Sequence, residues 1–97
     1  MRLSGFKKQL IVAYFKDKPV RRAYIFGSYA SGHATVDSDL DILVELDYRH
    51  KVGLEFIQMK LDLEAILKQE VDLVSAKGVS HHLLPIINRS RQLIYAR

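Results

Sequence analysis

Apolar residues recur at helical spacing in two long stretches and crowd into short β-rich runs between them. Leu3, Phe6, Leu10 and Tyr14 share one stripe with lysines elsewhere, which predicts a helix over residues 3–17. Lys18-Pro19 ends it, because proline disfavours helix in the residue before it. Arg21 to Phe26 reads as a short strand stopping at Gly27. Residues 27–38 hold two glycines, three serines and a threonine, enough for a loop with one helical turn around Tyr29 to Ser31. Asp39 to Leu46 alternates, placing Leu40, Ile42, Val44 and Leu46 on one face and Asp39, Asp41, Leu43 and Glu45 on the other. A loop with Asp47, Arg49, His50 and Lys51 leads into the clearest helix, residues 53–69, with Phe56, Met59, Leu63, Ile66 and Leu67 at helical spacing. Val71 to Val74 is a third strand. Ser80 is placed to cap a helix through about Asn88, which Pro85 should shorten or kink. Gln92 to Ala96 either adds an edge strand or finishes that helix. The order α-β-β-α-β-α-(β) predicts a small α/β (α+β) domain: one mixed β-sheet flanked by helices.

Length and composition narrow the class. The 97 residues, 48% of them apolar, make one domain, 1–97, near the lower size limit for a self-sufficient core. There is no cysteine, which excludes disulfides, thiolate-bound zinc and thiol catalysis and suits a cytoplasmic location. No stretch approaches transmembrane length, so no membrane association is expected. The net charge of +4 favours anionic partners. The cations are scattered and not interleaved with aromatics, so nucleic acid is not the expected one.

The chemistry concentrates in two short motifs. Gly27-Ser28 can form a tight turn whose N–H groups and hydroxyl hold phosphate oxygens. After ten intervening residues, Asp39 and Asp41 project to one side of a strand. Paired carboxylates resist ionising together unless a cation lies between them, and a divalent metal next to a phosphate cradle suggests a metal-bound nucleoside triphosphate. Asp72 lies among Val71, Leu73 and Val74, where an unpaired carboxylate is expensive. Alone it reads equally as a solvated strand residue or an arginine's partner. With Asp39 and Asp41 it completes a three-acid site for two hard cations. Such a site supports in-line attack on the α-phosphorus with release of pyrophosphate, Asp72 accepting the attacking hydroxyl's proton.

Phe26-Gly27-Ser28-Tyr29-Ala30-Ser31-Gly32, followed by Asp37-Ser38-Asp39-Leu40-Asp41, resembles the signature of the DNA polymerase β-like nucleotidyltransferase superfamily, and the size resembles its minimal nucleotidyltransferases. The resemblance runs from Arg21 through Val74 with flanking helices. It implies a polymerase-β-type palm, AMP transfer from ATP with Mg2+ (two ions), Gly27 and Ser28 as phosphate binders, and Asp39, Asp41 and Asp72 as metal ligands and catalytic residues. Family members commonly carry an arginine at the position of Ser31, so this chain lacks one positive charge beside the nucleotide. The resemblance also implies a helical HEPN-type toxin as partner, with a tyrosine of that toxin as AMP acceptor, and hence an antitoxin in a hetero-oligomer; a homodimer is the other assembly considered. At this length no further domain is expected to hold the acceptor.

Other readings fall away or stay subordinate. The Gly-Lys-Ser/Thr of a Walker loop and the Gly-x-Ser-x-Gly elbow of hydrolases are absent. His81-His82 and Lys77 are read as solvated surface, and Tyr29 as packing beneath the loop in preference to stacking on a base. Tyr14, Tyr24 and Tyr95 are expected in or at the core. Two alternatives in function are a non-catalytic binding subunit and nucleotidyl transfer to RNA or a small molecule.

Overall fold

A computed structural model describes residues 1–49 and 51–97; His50, part of the loop expected after the second strand, lies outside the described residues. The elements run α1 (Gly5–Phe15), β1 (Val20–Phe26), α2 (Ser28–Ser31), β2 (Leu40–Leu46), α3 (Gly53–Leu67), β3 (Val71–Ser75), α4 (Leu84–Ser90) and β4 (Gln92–Ala96), with a 3-10 turn at Ala76–Gly78. The strands form one mixed sheet ordered β3-β2-β1-β4. β1 pairs antiparallel with β2 and β4, whereas β2 and β3 are parallel. Parallel neighbours need a crossover, and α3 supplies it. Gln92 to Ala96 is therefore the edge strand, and the fold class is the predicted one.

One sheet face carries α1 and α3. Ile25, Leu40, Ile42, Val44 and Leu73 meet Ile11, Phe15, Met59, Leu63 and Leu67 there in a continuous core. Ser4 starts α1 by accepting the Lys7 N–H on its hydroxyl at 3.2 Å, so the helix begins two residues later than predicted, with Leu3 buried ahead of it. The buried line of α1 runs through Ile11 and Phe15, one position round from the predicted stripe. Leu10 and Tyr14 become its flank, and Phe6 is left 70% exposed. On α3, Met59, Leu63 and Leu67 face the sheet and Ile66 falls outside the buried line.

The opposite face, which carries Asp41, Leu43 and Glu45 of β2, is not polar throughout. Leu43 is buried with Tyr24 and Phe26 beneath Ile87 of α4, so this face is apolar at its centre and polar at both ends. Ser80 accepts the Leu83 N–H and closes a turn ahead of α4. Pro85 then falls in the helix's first turn, where a missing N–H costs nothing, so it opens the helix and does not kink it. Among the described residues no helix is long and apolar enough to cross a membrane.

Candidate active site

Gly27 leaves β1 with φ 70°, a region that favours glycine. The close packing of its α-carbon is a second constraint. A Cβ there would lie 2.3 Å from Oδ2 of Asp41, so the loop and the carboxylate can meet only because this residue has no side chain. The Gly27 carbonyl accepts the N–H groups of Ala30 and Ser31, both at 3.1 Å, which turns the chain into α2. The N–H groups of Ser28 and Tyr29 open that turn with no intrahelical acceptor. Gly32, at φ 87°, ends it.

α2 is held from several distant parts of the chain. Arg2 Nη1 donates to the Ala30 carbonyl at 2.8 Å, and Gln92 Nε2 donates to the same oxygen at 3.1 Å. Tyr29 is buried and accepts a hydrogen bond from Gln69 Nε2 at 3.1 Å; Lys7 binds the other end of that amide. Tyr29 therefore packs, as read from the sequence. The Gly27 N–H donates to the Ser90 hydroxyl at 3.4 Å, which brings the end of α4 to the loop. Arg2, Gln69, Ser90 and Gln92 lie 28 to 63 residues from their partners in the loop, and no local pattern marks them.

Asp41 and Asp72 are register partners on the parallel strands β2 and β3. Asp39 stands one residue ahead of β2 and not within it, because the ladder begins at Leu40. Burial, then the charge of Asp72, then that of Asp39 push the Asp41 carboxyl up to about 6. Burial and like charge both disfavour the ionised form, and a cation would reverse the second effect. The donors are all carboxylate oxygens, the type that Mg2+ takes, so the residues fit a hard divalent ion in kind. Among the described residues, no three acidic or histidine side chains stand gathered as a closed ligand set.

The other candidates lie elsewhere. Ser31 is exposed, its hydroxyl donating to the Ser28 carbonyl at 3.3 Å, with His33 Nδ1 3.0 Å away. Lys77 stacks on the Tyr48 ring, 4.0 Å from its centroid, and His81 and His82 are exposed in the turn before α4. Tyr24 and Tyr95 are buried and Tyr14 is half-buried.

A glycine turn packed on a strand-borne carboxylate, with a second carboxylate in register on the next strand, defines the palm of a nucleotidyl-transfer enzyme. The chain belongs to the Polymerase beta, Nucleotidyltransferase family, whose model matches residues 9–97. It is 37% identical over 93 residues to the protein adenylyltransferase MntA of Thermococcus cleftensis, covering 96% of this chain and 87% of that one. It is 38% identical over 84 residues, 87% of each chain, to a Methanocaldococcus jannaschii protein provisionally named a protein adenylyltransferase. A solved structure provisionally described as a minimal nucleotidyltransferase superposes with a TM-score of 0.76 at 31% identity, over 90% of this chain and 88% of that one. The fold also matches, at 21% identity and a TM-score of 0.76, a toxin–antitoxin structure solved with AMP-PNP, over 97% of this chain and 75% of that one.

Proposed function

We propose that the chain transfers AMP from ATP to a tyrosine of a helical HEPN-type toxin and thereby acts as its antitoxin. The observation that carries this reading is the contact of Gly27 with Asp41, which joins the phosphate turn to the acidic strands in one site. The protein adenylyltransferase named among its relatives supports AMP as the transferred group. A solved complex of an AMPylated Shewanella oneidensis HEPN toxin with its MNT antitoxin, which shares the fold, supports the acceptor class.

In this reading Ser28 and the opening N–H groups of α2 bind triphosphate oxygens, and Gly27 keeps the backbone close enough for them to do so. Asp39, Asp41 and Asp72 are the residues that would hold Mg2+, as one or two ions; bound there, it neutralises triphosphate charge and eases ionisation of the acceptor hydroxyl. Asp72, exposed at the mouth of the site, takes the phenolic proton. The tyrosine oxygen bonds to the α-phosphorus, the bond to the β-phosphate bridge breaks, and pyrophosphate leaves with that electron pair.

Intact-mass spectrometry of the toxin after incubation with the chain, ATP and Mg2+ should show one added AMP per modified tyrosine. Asp41→Asn should show none. Full neutralisation of the toxin by Asp41→Asn would replace this reading with the non-catalytic one. Adduct on RNA with none on protein would replace it with nucleotidyl transfer to RNA.

A further inference from the structure

The face of the sheet that carries Asp41 has a second polar end. Side chains alternate along β2, so Asp41, Leu43 and Glu45 share a face, paired with Phe26, Tyr24 and Arg22 of β1. On β3 the same face carries Asp72 and Val74, with Ala76 just beyond the strand. At about 3.3 Å per residue, Glu45 lies roughly 13 Å along β2 from Asp41. Between them sits the apolar patch under Ile87.

A cavity of about 800 Å³ opens at that far end, lined by Arg21, Arg22, Arg49, Lys77 and Arg97. Among the described residues Glu45 and Asp47 oppose them, a surplus of three positive charges against a net +4 for the whole chain. The basin is built as well as charged. Asp47 is buried and binds Arg49 through Nε at 2.9 Å and Nη2 at 2.7 Å, and Arg97 through Nη1 at 2.9 Å. Arg97 also donates to the Lys18 carbonyl at 2.7 Å. Glu45 sits 3.5 Å from Arg22 and accepts the Tyr24 hydroxyl at 3.1 Å. These contacts fix where the guanidinium groups of Arg22, Arg49 and Arg97 stand before anything binds.

We propose that this basin is a docking site for an acidic segment of the acceptor protein, set on the same face as the site of transfer and about 13 Å from it. The proposal rests on the reading of the acceptor as a protein. Two features favour a peptide over a nucleic acid. The basin contains carboxylates of its own, which repel a continuous phosphate backbone but can pair with a mixed-charge protein surface. Its exposed aromatic, Tyr48, already has Lys77 over one face of its ring, so it offers a base a single face and no run of stacking platforms. The separation along the sheet also suits docking, since long-range charge orients the acceptor while the reacting residues stay at the other end.

The test uses Arg21→Glu/Lys77→Glu, since both positions are exposed and remote from the phosphate turn. Lys16→Glu/Lys51→Glu is the control, with the same change in net charge at exposed positions flanking the helices of the other face. Against the HEPN-type toxin as acceptor, the basin variant should raise the acceptor KM roughly tenfold, lose most of its salt dependence, and keep the KM for ATP and kcat unchanged. The control should behave as wild type. Calorimetric binding of the toxin to Asp41→Asn with and without the basin substitutions reads docking apart from chemistry. If wild type transfers no AMP but binding still falls in the basin variant, the reading of the reaction fails and the docking site stands. Equal toxin binding in basin and control variants overturns the docking site. Loss of binding to a single-stranded RNA oligonucleotide in the basin variant, with toxin binding intact, overturns it in favour of nucleic acid.

Discussion

At Gly27 one absent methyl group decides whether the phosphate turn and the acidic strands can be neighbours. Gly27→Ala would put a Cβ 2.3 Å from Asp41 Oδ2 at a φ that side chains disfavour. Stability should fall by about 1–3 kcal/mol, with activity lost. If the carboxylate contact is the cause, Asp41→Ala should relieve part of the loss, so denaturant melts of the double mutant should fall short of additivity. Asp41 makes a second prediction. Its folded pKa of about 6 lies above the ordinary carboxylate value, so the folded chain holds that proton more tightly than the unfolded chain. Without metal, wild type should lose stability as pH rises from about 4 through 6. Asp41→Asn, which keeps the side chain's shape, should melt above wild type at pH 7, with the gap closing towards pH 4. A gap that does not change with pH would remove burial and the neighbouring carboxylates as its cause. The turn at Gly27-Ser28 and the strand positions of Asp41 and Asp72, proposed as ligands with Asp39, were legible in the sequence because turn chemistry and strand alternation are local. Ser90 and Arg2 were not, because only the closed fold brings them to the loop.

Among the α-helices, α4 buries the fewest side chains. It is seven residues long, opens on Pro85 and buries one side chain, Ile87, yet it covers the centre of the reactive face and brings Ser90 to the Gly27 N–H. Ile87→Ala should cost about 2–5 kcal/mol if the site cannot collapse. Its effect should also be local. Hydrogen exchange should show α4 amides opening well before those of β1 and β2, and the KM for ATP should rise as Ser90 loses its position. The pattern along the chain located three strands and both long helices, since those bury one face against the sheet, and left β4 open between an edge strand and the end of a helix. It misplaced the buried side of Phe6 and Ile66, because periodicity gives a helix its stripe but the sheet decides which flank of that stripe is covered. It put Leu43 on the face of Asp41 and Glu45 without showing what covers it, because a helix as short as α4 has too little periodicity to show which face it will cover.

For the molecule as a whole, one sheet divides the labour. Its α1–α3 face holds the core, and its other face runs from acidic residues through an apolar centre to a basic basin. The scattered cations read from the sequence concealed that basin, since Arg21, Arg49, Lys77 and Arg97 come from four separate stretches and meet only when all four strands pair. In the proposed reading this division has a direction, from nucleotide at Gly27 to acceptor across the α4 face. The central claim is that the Gly27 turn and the carboxylates on β2 and β3 act as one centre of attack on the α-phosphorus. The most direct measurement gives the chain, the HEPN-type toxin and Mg2+ either ATP labelled at the α-phosphorus or ATP labelled at the γ-phosphorus. The α label should appear on the toxin with stoichiometric pyrophosphate, the γ label should appear only in that pyrophosphate, and Asp41→Asn and Asp72→Asn should abolish both. Transfer of the γ label to the toxin, or undiminished transfer of the α label by either variant, would contradict the account.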